Sequence, residues 1–194
     1  MIDNTCLIIG AGYLGARVQS LFEAQTYWIT RRTLQEKAIM LDCNEESSWN
    51  NLTRVIDTEQ LLIYFLVPPS QIELSVFPHF LQRLKQLKYK RIILVSSTVV
   101  YGNSERDVDA DSQVQIDSPR AERQYQIEQC CLENMHNASI VRLAGIYGPG
   151  RIIGKDNILQ GKKINGDPEG WLNLIHVDDA AALLKRMGEM ETSA

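Results

Sequence analysis

The chain has 194 residues, 44% hydrophobic and 23% charged, with a formal net charge of −4. That length suits one domain with a sizeable core and is too short for two ordinary ones. The negative balance argues against a nucleic-acid partner, and no apolar run nears the roughly 18 residues a membrane helix needs.

In chain order, apolar runs alternate with helical patterns. Cys6 to Ile9 is a short strand ending in glycine. Leu14, Val18, Leu21 and Phe22 then recur at helical spacing. Tyr27 to Thr30 reads as a second strand, Ala38 to Leu41 as a third, and Leu61 to Val67 as a fourth, ended by Pro68-Pro69. Pro78 suits the first turn of a helix, and Phe80, Leu81, Leu84 and Leu87 give it a buried face. Arg91 to Val95 is a fifth strand. A polar, acidic loop from Tyr101 to Ser118 leads to a helix over Ser118 to His136. Ser139 to Leu143 is a sixth strand, and a glycine-rich stretch, Gly145 to Gly170, follows. Leu172 to Ile175 reads as a short strand, and Asp178 as the cap of a last helix through Met187. This alternation predicts an α/β fold of Rossmann type, a doubly wound parallel sheet with helices on both faces.

Cys6, Cys43, Cys130 and Cys131 form no Cys-x-x-Cys pair, and His79, His136 and His176 lie far apart. No metal site is expected, and reduced thiols fit a cytoplasmic protein. The start, Met1-Ile2-Asp3-Asn4, lacks the basic and apolar segments of a signal peptide. The basic cluster Arg83, Lys85, Lys88, Lys90 and Arg91 reads as a solvated helix face.

Gly10-Ala11-Gly12-Tyr13-Leu14-Gly15 follows the first strand and opens a helix, the context that a dinucleotide-binding glycine motif requires. Gly10 permits the tight turn, Gly12 lets backbone approach a pyrophosphate, and Gly15 lets helix pack on strand. Tyr13 and Leu14 open the helix, whose N-terminus offers N–H groups to the phosphates. Val67, Pro68 and Ser96, at the ends of strands four and five, join the expected cofactor-binding residues. After strand two an acid would hold the ribose hydroxyls of NAD. This chain has Arg31 and Arg32 there, which suit a 2′-phosphate, so NADP is expected over NAD; two exposed arginines are the alternative. Asp42 is either an adenine contact or a helix cap for Asn44 to Trp49.

Ser96-Ser97-Thr98-Val99-Val100-Tyr101-Gly102, Val141-Arg142-Leu143-Ala144-Gly145-Ile146-Tyr147-Gly148-Pro149-Gly150 and Asn173-Leu174-Ile175-His176-Val177-Asp178-Asp179, together with the glycine loop, resemble the extended short-chain dehydrogenase/reductases, the NAD-dependent epimerase/dehydratases, in an atypical branch. The resemblance implies that Ser97 is a catalytic serine, that Ala144, Gly145 and Ile146 lie against the nicotinamide, and that Thr98 and Arg151 meet substrate, Arg151 through a phosphate. It implies a small-molecule substrate, with nucleotide sugars among the candidates, and pairing into a homodimer through helices of the sheet. Ser96 and Ser97 have a structural alternative in satisfying backbone groups at a strand end. His176 and Asp178 read as structural.

The chain departs from the family twice. Extended members carry a C-terminal substrate domain beyond the last helix found here. Their Tyr-x-x-x-Lys pair lies on the helix after strand five, where a tyrosine exchanges a proton with substrate and the lysine lowers its pKa and holds the nicotinamide ribose. Here that helix has no lysine. One register puts Tyr125, Gln129 and Glu133 at the tyrosine, lysine and downstream acid. Another puts Arg120, Gln124 and Glu128 there. Tyr125 is taken as the candidate phenol, with Arg123 the other cation. The expectation is an NAD(P)-binding oxidoreductase or nucleotide-sugar epimerase/dehydratase of impaired turnover; the alternative is a non-catalytic NADP-binding sensor or regulatory module.

Overall fold

The computed structural model describes residues 5–22, 26–30, 38–55, 59–103, 106–152, 154–163, 170 and 172–190. Arg31 and Arg32 lie outside the described residues.

Four-residue apolar runs buried on both faces form central strands of a parallel sheet. β1 (Cys6–Ile9) and β4 (Leu62–Phe65) are buried at every position and lie side by side, Ile9 level with Phe65. β2 (Thr26–Thr30) and β3 (Ala38–Met40) extend the sheet on one side of β1. β5 (Arg91–Ser97) and β6 (Ala138–Leu143) extend it on the other side of β4. The order is β3-β2-β1-β4-β5-β6, every pair parallel. The chain therefore reverses direction across the sheet between β1 and β4. Crevices outside the carboxyl ends of strands form at such a switch point.

Two apolar layers flank the sheet. On one face Leu7, Ile9 and Phe65 pack with α2 (Glu46–Trp49), α3 (Phe77–Leu84) and α4 (Pro119–Asn134), whose Trp49, Phe80 and Ile127 reach inward. Phe80 stands 5.5 Å from Trp49 and 6.2 Å from Phe65 between ring centres. On the other face Cys6, Ile8 and Tyr64 pack with α1 (Tyr13–Ser20) and α6 (Val177–Glu189) through Leu14, Val18, Val177 and Leu184. Proline opens both α3 and α4, and Ser118 Oγ caps α4 by accepting from Ala121 N at 3.2 Å. Among the described residues no helix is long and apolar enough to cross a membrane.

Several elements differ from the sequence reading. The glycine-rich stretch contains β7 (Gly145–Tyr147), which pairs in parallel with β8 (Leu174–His176), and a short α5 (Lys155–Leu159). The strand expected at Leu172 begins at Leu174. Asp178 is not the cap of α6: His176 is, its Nδ1 accepting from Asp178 N at 3.3 Å. An imidazole nitrogen does the work that short oxygen side chains usually do. Asp42 does not cap α2 either. Its Oδ1 accepts from Asn44 N at 3.0 Å in a local turn, and Glu45 holds the cap position.

Candidate functional site

The three glycines of the loop meet three different constraints. Gly10 has φ +103, and a Cβ there would lie 2.9 Å from Leu66 C and 3.0 Å from Val67 N. The loop is thus pressed onto the end of β4, where Leu66 N also donates to Ile9 O at 2.7 Å. A Cβ on Gly15 would lie 2.2 Å from Gly10 O, which no side chain survives. Gly12 is the opposite case: nothing lies within 4 Å of a Cβ built there. It caps α1 without a side-chain hydrogen bond, and the first turn of α1 carries no acid. Unpaired N–H groups and the positive end of the helix dipole therefore face open space at the switch point. That arrangement fits a diphosphate.

Tyr13 and Leu14 enter this loop differently. Leu14 is buried in the core beneath the sheet, so only its backbone faces the loop. Tyr13 is half-buried and its hydroxyl donates to Pro149 O at 3.0 Å. Val67 is half-buried beside Gly10, and Pro68 is exposed at the start of the next turn. Asp42, half-buried at the end of β3, is held in the turn described above.

At the end of β5 the two serines part. Ser97 is half-buried and its Oγ accepts from Val99 N at 3.3 Å, capping the 3-10 turn Thr98–Tyr101. Ser96 is buried, and its Oγ donates to Glu128 of α4. The sequence reading grouped Ser96 with the cofactor ligands; its hydroxyl is spent on a carboxylate under α4, leaving only its backbone for that role. Glu128 is fully buried. Arg142, opposite Ser96 on β6, grips it with Nε to Oε1 at 3.1 Å and Nη2 to Oε2 at 2.7 Å. Arg142 Nη1 donates to Tyr101 Oη at 2.8 Å, and the guanidinium lies over that ring at 4.9 Å. Glu128's hydrogen bonds lift the Arg142 pKa further above its ordinary value. Buried carboxylates need such pairing.

This network orders α4. Residues at i and i+4 share a helix face, so Gln124 stands one turn before Glu128, toward the carboxyl ends of the strands, and Arg120 one turn before that. Gln124 is buried at 4% exposure, and Arg120 is exposed. Tyr125 is half-buried, about 100° around the helix from Gln124. Glu133, the acid of the other register, is exposed. Arg123 does not support Tyr125: its guanidinium donates to Pro69 O at 2.8 Å and to Ile72 O, tying the loop after β4 to α4. Sequence reasoning named Glu128 only as an alternative and missed Arg142 and Tyr101. A helix acid beside a strand arginine is not visible until the packing of α4 on β6 is known.

Ala144 and Ile146 are half-buried and Gly145 exposed at the end of β6 and along β7. The turn after β7 carries Arg151 to a point 5.6 Å from the Tyr13 ring centre, beside the glycine loop. The structure thus sets Arg151 beside Tyr13 at the start of α1 and leaves Ser97 and Thr98 at the end of β5 and Gln124 and Tyr125 in the first half of α4.

Residues 72–193 match the family model described as the NAD dependent epimerase/dehydratase family. Among solved structures, the Bordetella bronchiseptica enzyme WbmH in complex with NAD+ is 15% identical with a TM-score of 0.78, over 96% of this chain and 72% of its own. MoeE5 in complex with UDP-glucose and NAD is 21% identical at 0.76, over 98% and 73%. The human epimerase family protein SDR39U1 with NADPH is 16% identical at 0.73, over 95% and 70%. At these identities the likeness is one of fold. A comparison with curated proteins found no match.

Proposed function

The chain belongs to the NAD dependent epimerase/dehydratase family, and we propose that it binds NADP in preference to NAD and acts, at low turnover, as an oxidoreductase or epimerase/dehydratase-type enzyme on a nucleotide-sugar-like substrate in the cytoplasm. The observation that carries the reading is the open Gly12 at the bare N-terminus of α1, set at the switch point of the sheet. N–H groups of that first turn would hold the diphosphate. Arg31 and Arg32 would take the 2′-phosphate, and Ala144 to Ile146 would lie against the nicotinamide, which when bound supplies the hydride acceptor or donor. Ser97 and Thr98 would orient the substrate oxygen, and Tyr125 is the phenol within the same region. The structures solved with UDP-glucose and NAD, and with NADPH, support these ligand classes by fold.

Calorimetry tests the site. Gly12→Val should abolish NADP binding while circular dichroism stays unchanged, because a Cβ there has no protein atom within 4 Å yet points into the space a phosphate needs. Unchanged affinity would overturn the assignment. A second reading, a non-catalytic NADP-binding sensor, is favoured by one observation: the burial of Glu128 supports the register with Gln124 for the lysine and Arg120 for the tyrosine, in which Tyr125 is displaced from the family's phenol position.

A further inference from the structure

We infer that Arg151 is a cofactor ligand, its guanidinium closing the diphosphate site opposite the N-terminus of α1. This rests on the dinucleotide reading above and departs from the substrate-phosphate role expected from the sequence. The turn that presents Arg151 is fastened to the glycine loop itself. Gly148 N donates to Arg151 O at 3.1 Å and Arg151 N to Gly148 O at 2.9 Å, closing a tight turn over Pro149 and Gly150, with Gly150 at φ +79. Tyr13, the first residue of α1, donates its hydroxyl to Pro149 O at 3.0 Å. Gly148 sits at φ +150, where a Cβ would come within 2.7 Å of that hydroxyl. Only glycine lets the turn approach so closely. The Arg151 guanidinium then rests over the Tyr13 ring at 5.6 Å.

Two further facts set its ligand. Among the described residues Arg151 has no carboxylate partner, whereas nearby Arg17 is paired with Asp178 at 3.5 Å. The uncapped first turn of α1 lies beside it with no acid of its own. A guanidinium fork beside a bare helix N-terminus suits a phosphate oxygen pair. Ser97, where substrate chemistry is placed, stands two strands away from β1, about 10 Å across the sheet. The anchor at Tyr13 therefore assigns Arg151 to the cofactor half of the crevice.

The test uses the full chain, with NADP, ADP-ribose and 2′-AMP as calorimetric probes. ADP-ribose carries the diphosphate without the nicotinamide; 2′-AMP carries the 2′-phosphate without the diphosphate. Arg151→Ala should weaken NADP and ADP-ribose by a common factor of about ten or more, the loss of one charge-assisted contact, and leave 2′-AMP binding alone. Arg151→Lys should recover part of the loss, since a point charge replaces the fork. Unchanged ADP-ribose affinity in Arg151→Ala, with the unmodified chain binding well, would overturn the clamp and leave the dinucleotide reading intact. An unmodified chain that binds none of the three probes would instead sink the dinucleotide reading, and the clamp with it.

Discussion

Replacing Glu128 by Gln should cost about 3 kcal/mol of folding stability. The carboxylate is fully buried, accepts from Ser96, and is gripped at two points by Arg142 at 3.1 and 2.7 Å. Removing one partner of a buried pair typically costs about 3–5 kcal/mol, because the other charge stays behind. The lower end applies here: the Arg142 side chain keeps 20% exposure and its bond to Tyr101. For a chain of this size each kcal/mol moves the melting temperature by about 2–4 °C, so a drop of about 6–12 °C is expected. Urea unfolding followed by circular dichroism at neutral pH measures it directly. Two controls sharpen the result. Glu133→Gln, on the exposed side of α4, should change stability by less than about 0.5 kcal/mol. Glu128→Leu combined with Arg142→Met should recover most of the loss, since an apolar pair of similar volume leaves no orphaned charge. A Glu128→Gln loss under about 1 kcal/mol would refute the argument that this pair aligns α4 on the sheet.

Arg31→Ala with Arg32→Ala should weaken NADP by about one to two decades and NAD far less, measured by calorimetry; equal weakening of both would remove the 2′-phosphate assignment. Burial pushes the Cys131 thiol from its ordinary value near 9 up to about 12. The folded chain therefore keeps a proton that the unfolded chain loses, so this contribution is whole below pH 9 and falls as pH rises toward 12, by about 1.4 kcal/mol per unit. Urea unfolding between pH 9 and 10 should show stability falling by about 1 kcal/mol more in the parent than in Cys131→Ala, since the unfolded thiol is only half ionised at pH 9 and Cys130 and Tyr89, also raised on folding, keep a slope of their own in both; equal slopes would show the thiol is not the cause. A panel of alcohols, ketones and nucleotide sugars followed by NADPH absorbance should show slow or absent turnover, and turnover of about 10 s⁻¹ that collapses in Tyr125→Phe would contradict the impaired site.

What could be read in advance was what periodicity and glycine encode locally. The central strands, the loop from Gly10 to Gly15 and the proline-opened helices follow from burial period and backbone permissiveness. The caps were less legible: His176 and Glu45 hold cap positions that Asp178 and Asp42 would have filled by residue preference. β7 escaped notice because three residues starting at Gly145 carry no alternation to detect. The link between Tyr13 and Pro149 spans 136 residues, and no local pattern announces it. The same holds for Arg123, whose bonds run back to Pro69 and Ile72. Charged residues on a helix look alike in sequence; partners across the fold tell them apart.

The same distinction bears on the chemistry of α4. Counting along the helix leaves two registers equal, since Tyr125 and Arg120 each have a glutamine four residues on and a glutamate eight residues on. Burial separates them. A carboxylate held by Ser96 and Arg142 at the level where β5 and β6 pair fixes which face of α4 meets the sheet. Gln124 lies on that face, one turn nearer the strand ends, and Tyr125 on its flank. An amide at that place can hydrogen-bond a ribose hydroxyl but carries no charge to lower a phenol's pKa. Arg123, the one other cation considered for that task, is spent on backbone carbonyls. On the proposed reading, cofactor binding at α1 and slow proton transfer at α4 follow from one geometry, and a slow enzyme and a sensor differ in whether a phenol such as Tyr125 reaches its substrate without help.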